Sequence, residues 1–182
     1  HVRSRRQRQM CIRDSPESVD KIPQSSDPRD VYELDKPTLV WADNGEGDDW
    51  AVFKLKENSI TNKLPGVVQG HLDVELSNSR IKGQTIRITG FGSDKADPIR
   101  NFAQQTHSGK VKKVGGWGSK SKITYSVDTM GGNSGSSLVL KKTNKIIGIH
   151  TNGGCGTWGD TNSGTLISKN QKLQDAIRAC LK

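Results

Sequence analysis

Residues 129–139 read Thr129-Met130-Gly131-Gly132-Asn133-Ser134-Gly135-Ser136-Ser137-Leu138-Val139. Two adjacent glycines let a backbone turn sharply without a Cβ clash. Such a turn can aim the amides of Gly132 and Ser134 at one point, a donor pair for a developing oxyanion. The hydroxyl of Ser134 then stands beside that point, at the entrance to an apolar strand. A serine hydroxyl is a weak nucleophile until a base takes its proton. The fold therefore has to bring a histidine to Ser134, and the sequence has to say which one.

Working outward, the chain reads as short strands separated by turn residues. Thr85-Ile86-Arg87-Ile88-Thr89-Gly90-Phe91 alternates with period two, the signature of a half-buried strand. Further strands are expected at Val31–Leu34, Thr38–Trp41, Trp50–Leu55, Val111–Val114, Ile123–Val127, Ser136–Leu140, Ile146–His150 and Thr165–Ile167. Their spacing, with glycine-rich turns between, suits an antiparallel barrel. Residues 65–78 read as a connection between two sub-domains. Leu173, Ile177, Cys180 and Leu181 recur at helical spacing, which predicts an amphipathic C-terminal helix.

The chain has 182 residues, enough for one ordinary domain or two small packed barrels. No run approaches the roughly 20 apolar residues that span a membrane, so no membrane partner is expected. The formal charge is +9, but no arginine-aromatic motif accompanies it, and nucleic acid is not expected as a partner. Residues 1–15, "HVRSRRQRQMCIRDS", resemble an in-frame translation of a transposase sequencing adapter and are set aside as an artefact. Without them the balance is 23 basic against 18 acidic residues, and Cys11 leaves the cysteine count. Cys155 and Cys180 remain. They are compatible with a disulfide or with two small buried hydrophobes. No Cys/His cluster has metal-ligand spacing, so neither a metal nor another cofactor is expected.

Four stretches together carry a family resemblance: Gly45-Glu46-Gly47-Asp48-Asp49-Trp50-Ala51-Val52, Gln105-Thr106-His107-Ser108-Gly109, the run from Asp128 to Val139, and Ile146-Ile147-Gly148-Ile149-His150-Thr151-Asn152-Gly153-Gly154-Cys155. In order and spacing they resemble the trypsin-like serine peptidases, and among them the bacterial V8-like glutamyl endopeptidases. The resemblance covers residues 29–181. It implies an all-β, chymotrypsin-like fold of two antiparallel barrels with a C-terminal helix and a site in the cleft between them. Residues 16–70 would then be the remnant of an incomplete first barrel, and residues 71–182 the second barrel with its helix. It also implies a secreted, monomeric serine endopeptidase acting on protein or peptide substrates.

Carried over residue by residue, the resemblance makes Ser134 the nucleophile and Asp49 the carboxylate that orients the base. Asp49 is preferred to Asp48 because it directly precedes Trp50 and the strand. Gly132 and Ser134 form the oxyanion hole. Asp128, Thr129, His150, Thr151 and Gly153 line the pocket for the substrate side chain, with Asn152 in its wall. Thr129 and His150 match a glutamate-binding pair, whereas Asp128 stands six residues before Ser134, where Lys/Arg-specific relatives keep their acid.

The family order is histidine, aspartate, serine, so the base should precede Asp49. His1 is the sole histidine there, and it lies in the adapter-like run. His71 and His107 are expected on the surface or in turns. The expectation is that the base is missing from a truncated chain, which then hydrolyses little. The alternative is a peptide-binding protein of peptidase-like fold that does not cut.

Overall fold

The computed structural model describes residues 26–78, 80–93, 103–116, 119–154 and 161–181. Two antiparallel strands, β1 (Val40–Asp43) and β2 (Asp49–Val52), form a small sheet. A one-turn helix, α1 (Pro65–Val68), lies in the connection to the next strands. Six strands follow: β3 (Thr85–Phe91), β4 (Gln104–Gly116), β5 (Ser119–Tyr125), β6 (Ser137–Leu140), β7 (Lys145–Asn152) and β8 (Asn162–Leu166). They close into a barrel in the order β3-β4-β5-β8-β7-β6, with Ile86 opposite Leu140 sealing the ring. The C-terminal helix, α2, spans Gln171–Cys180. The fold is thus all-β with one complete six-stranded barrel, a two-stranded sheet beside it and a terminal helix.

The barrel closes around Ile86, Ile88, Val111, Ile123, Tyr125, Leu138, Leu140, Ile147 and Leu166. These are the inward positions of the alternating strands, as a barrel requires. A second cluster joins Trp50 of β2 to Ile167 and to Leu173, Ala176 and Ile177 of α2. A two-stranded sheet is marginal by itself in water, so this packing is what orders β1 and β2. The opposite side of that sheet is poorly covered: the cross-strand pair Trp41 and Ala51 is exposed, Trp41 by 65%.

Several sequence expectations need correction. Residues 31–34 form no strand, only an isolated bridge between Leu34 and Leu55, and β2 stops at Val52. Thr38 belongs to a 3-10 turn, Lys36–Thr38, because Pro37 fixes its φ in the helical range; β1 starts later, at Val40. His107 is not in a turn. The segment Gln105–Gly109 lies within the long β4, paired to β3 with Ile88 opposite His107. Its Ser108 and Gly109 weaken the strand pattern. Strand order comes instead from the ladder with β3 and from the Thr89–Thr106 hydroxyl contact of 2.8 Å. On α2 the buried face is Leu173, Ala176 and Ile177, while Leu181 falls past the last helical residue and is exposed. Cys180 is half-buried. Cys11, Cys155, His1 and residues 1–15 lie outside the described residues, and with them the question of a Cys155–Cys180 bond.

Asn170 couples the helix to the small sheet. Its Oδ1 accepts from the Leu173 amide at 3.0 Å, capping α2, and its Nδ2 donates to Asp48 Oδ1 at 2.8 Å. Asp48 also accepts from Trp50 Nε1 at 2.9 Å and from Asn44 Nδ2 at 2.9 Å. Donation from Asn170, then from Asn44, holds the Asp48 carboxyl below its ordinary value. A depressed carboxyl stabilises the fold above the unfolded-state value of about 4 and loses that contribution as pH falls. Replacing Asn170 by Ala removes a cap and one partner of a half-buried carboxylate. It is expected to lower the unfolding free energy by about 2–3 kcal/mol at pH 7 in urea titration. The deficit should narrow below about pH 4, where Asp48 is protonated in the unfolded chain.

Candidate active site

The turn before β6 adopts the backbone its glycines permit. Gly132 has φ +96° and Gly135 φ +88°, both in the left-handed region. At Gly132 a Cβ would also sit 2.9 Å from the Phe91 carbonyl oxygen, so two constraints exclude a side chain there. Asn133 is buried at the centre of the turn, its Nδ2 donating to the Met130 carbonyl at 3.1 Å. The Ser136 amide donates to the Asn133 carbonyl at 3.0 Å, and the Gly135 amide to the His150 carbonyl at 2.8 Å. Among the described residues the amides of Gly132 and Ser134 have no protein acceptor.

Ser134 is exposed, and its hydroxyl donates to the Thr151 carbonyl at 3.2 Å. A β-bulge makes that carbonyl available. His150 pairs with Gly164 and Asn152 with Ser163, so Thr151 is left without a partner on β8. Bulges re-aim the local backbone in this way. The Thr151 hydroxyl donates to Asn152 Oδ1 at 2.6 Å. Gly153 follows, exposed, and the neighbouring Gly154 amide donates to Asn162 Oδ1 at 2.7 Å.

Asp49 is fixed by its backbone. Its amide donates to Thr165 Oγ1 at 3.3 Å, and Thr165 Oγ1 donates to the Asp49 carbonyl at 2.9 Å. Thr165 pairs with Ile149, and Ile149 with Ser137. Asp49 therefore lies at the end of a row that crosses β8 and β7 to β6, three residues from Ser134. Unlike Asp48, its carboxylate accepts no hydrogen bond among the described residues. Burial first, then the cross-strand Asp43 carboxylate, pushes its pKa up. Such a carboxylate is stabilised by a cationic or hydrogen-bond-donating partner.

His150 is buried on β7, and its Nδ1 lies 2.6 Å from Tyr125 Oη. Tyr125 Oη donates its one proton to the Ser163 carbonyl at 2.9 Å. The phenol then accepts from His150, which places the imidazole proton on Nδ1. Burial lowers the His150 pKa, opposed by the Ser163 carbonyl, so the ring is neutral near pH 7. Burial pushes the Tyr125 phenol upward, and it stays protonated. Thr129 is buried beside this chain, its Oγ1 accepting from Asn162 Nδ2 at 2.7 Å, and among the described residues its hydroxyl proton has no acceptor. Asp128 is exposed, and its amide donates to His107 Nδ1 at 2.7 Å.

Tyr125 and Asn162 are the two polar supports that the sequence reading missed. The side chains they support, His150 and Thr129, lie 25 and 33 residues away, and no local pattern marks them. Among the described residues no histidine hydrogen-bonds to Ser134 or Asp49: His71 is exposed, His107 faces Asp128, and His150 faces Tyr125. No three His, Cys, Asp or Glu side chains of the described residues gather as metal ligands would, and no described helix is long and apolar enough to cross a membrane.

A profile of the trypsin-like peptidase domain matches residues 9–149, beginning inside the segment outside the described residues. Among solved structures the chain is similar to a Glu endopeptidase in complex with MPD, with a TM-score of 0.59 and 23% identity over 79% of this chain and 64% of that one. It is also similar to the scabies mite inactivated protease paralogue S-I1, with a TM-score of 0.58 and 17% identity over 86% of this chain and 71% of that one. At these identities the likeness establishes the fold. The chain spans 64% of the endopeptidase's length. No curated protein sequence matches.

The two constraints at Gly132 give a direct expectation. Gly132→Ala should lower stability by about 1–3 kcal/mol in urea unfolding, because Ala at positive φ is strained and its Cβ meets the Phe91 carbonyl. A neutral result would mean that the turn adopts another backbone in solution.

Proposed function

Since the chain belongs to the trypsin-like peptidase domain family, we propose that Ser134 is the nucleophile of a serine-endopeptidase site that acts on peptide bonds. The observation that carries this reading is the Gly132–Ser134 turn, whose two amides have no protein acceptor beside an exposed serine hydroxyl. In this role they would donate to the oxygen that becomes negative when Ser134 Oγ bonds to the substrate carbonyl carbon. Asp49 would hold a histidine in the tautomer that accepts the Ser134 proton and stabilise the imidazolium formed. Residues 16–70 would contribute to a first barrel, and the exposed Trp41 is consistent with that. Secretion, a monomeric state and V8-like membership belong to the same proposal.

No histidine of the described residues serves as the base, so this chain by itself is expected to be a poor catalyst. Loss of the base from such a triad costs about three or more orders of magnitude in turnover. A fluorophosphonate should label the chain slowly, and only at Ser134, with labelling abolished by Ser134→Ala. Peptide hydrolysis should be negligible and unchanged by His1→Ala. Rapid turnover that is lost in His1→Ala would overturn the missing-base reading, and labelling that survives Ser134→Ala would overturn the nucleophile.

Thr129 and His150 are proposed to bind a substrate carboxylate, with Thr151, Asn152 and Gly153 pairing to its backbone as an added strand. The neutral His150 must take up a proton to form a charge-assisted bond with that carboxylate. Affinity for a peptide ending in Glu should therefore fall about tenfold per pH unit above the His150 pKa in the complex. Fluorescence anisotropy between pH 5 and 8 (~ the imidazole range) reads this, and His150→Gln should flatten the profile. Asp128 supports the competing preference for Lys or Arg; tighter binding of an Arg peptide, lost in Asp128→Asn, would replace the glutamate reading.

A second reading, a non-catalytic peptide-binding protein, is favoured by the lack of a base among the described residues and by the fold likeness to a paralogue described as inactivated. It predicts the same peptide binding, with no hydrolysis even when imidazole is supplied as an external base.

A further inference from the structure

The end of the barrel away from Ser134 carries a second feature. On β8, Asn162 supports Thr129 at one end, while Leu166 at the other forms part of a cleft of about 330 Å³. Four residues of extended chain separate them, about 13 Å. Ile81, Val114 and Leu166 supply apolar lining, and Arg80, Lys82 and Lys169 bring three positive charges; no Asp or Glu lines the cleft. None of these three cations belongs to an ion pair among the described residues.

Asn78 adds an independent observation. Its Oδ1 accepts from Ser168 Oγ at 2.8 Å, which fixes the amide, while its Nδ2 is buried with no acceptor. A buried donor left unmatched costs about 1–3 kcal/mol relative to one that is satisfied. Three exposed cations lining one cleft without a counter-charge raise the local positive potential. Because Asn78 is part of the cleft lining, an oxyanion seated there would supply the counter-charge and, with a small turn of the amide, the missing acceptor. The apolar lining adds a requirement, because a fully hydrated anion would leave Ile81, Val114 and Leu166 facing water.

We propose that this cleft binds a small amphiphilic oxyanion. The phosphate, sulfate or carboxylate head is held by Arg80, Lys82, Lys169 and the Asn78 amide, and an aromatic or short aliphatic group lies on Ile81, Val114 and Leu166. Arg80 offers a planar fork of donors matched to such a head, and the two lysines add mobile point charges. The ligand is either a free aryl or alkyl anion or the C-terminal carboxylate of a peptide with an apolar last residue. The inference is independent of any chemistry at Ser134.

Titration of the full 182-residue chain by calorimetry and amide NMR tests it, with phenyl phosphate, inorganic phosphate, benzyl alcohol and N-acetylphenylalanine as probes. Phenyl phosphate should bind at least about tenfold more tightly than inorganic phosphate, and benzyl alcohol should not bind detectably. Lys82→Gln combined with Lys169→Gln should weaken phenyl phosphate about tenfold or more without shifting the thermal midpoint, and Asn78→Asp should do the same. Binding must survive Ser134→Ala. N-acetylphenylalanine binding in addition supports a peptide C-terminus as the source; phenyl phosphate binding alone supports a free anion. Equal affinity for phenyl and inorganic phosphate, equal affinity of the double variant, or loss of binding in Ser134→Ala would overturn the proposal.

Discussion

The reciprocal hydrogen bonds between Asp49 and Thr165 are the constraint on which the site depends. Asp49 comes from a two-stranded sheet with little stability of its own, and Ser134 from the mouth of a closed barrel. Thr165 uses one hydroxyl as both donor and acceptor to bind the Asp49 backbone to β8. Trp50, packed on Leu173 and Ile177, and Asp48, held by Asn170, stop the small sheet from swinging about that point. The barrel row Thr165–Ile149–Ser137 then carries the position of Asp49 to the strand that follows Ser134. The neighbouring aspartates divide the work: Asp48 has three donors and serves the fold, whereas the Asp49 carboxylate has none among the described residues and stays available for a partner.

The hydrogen-bond network around His150 follows a proton count. Tyr125 can give one proton, Ser163 takes it, and His150 must therefore present its own proton to the phenol. A buried, neutral imidazole is poised to become charged only when an anion makes that charge worthwhile. Asn162 acts similarly on Thr129, occupying the hydroxyl oxygen while its proton has no acceptor among the described residues. Specificity for a carboxylate would thus be set by residues one step removed from it.

Much of the architecture was legible because it depends on local pattern. The alternation of Thr85–Phe91 gives a strand of the same bounds in the structure, and the paired glycines at 131 and 132 do mark a turn with a left-handed residue. What was not legible depends on distant partners. Tyr125 reads as one more apolar strand residue until Ser163 and His150 are placed beside it. His107 reads as a turn residue because its neighbours Ser108 and Gly109 have low strand preference, and the β3 ladder overrides that preference. The cationic cleft at the far mouth assembles Asn78, Val114 and Leu166 from three separate segments, and charge composition alone could not separate it from a solvated surface.

The central claim is that the turn around Ser134 is built as an anion cradle before any ligand arrives. A peptidyl boronic acid tests it without a full catalytic apparatus, because tetrahedral boron on Ser134 Oγ places a negatively charged group where the oxyanion would form. Boron NMR should report a tetrahedral adduct on the chain that is lost in Ser134→Ala, and the amide protons of Gly132 and Ser134 should shift together to lower field as they become donors. Boron that stays trigonal at saturating ligand, or an adduct that leaves both amide resonances in place, would contradict the account.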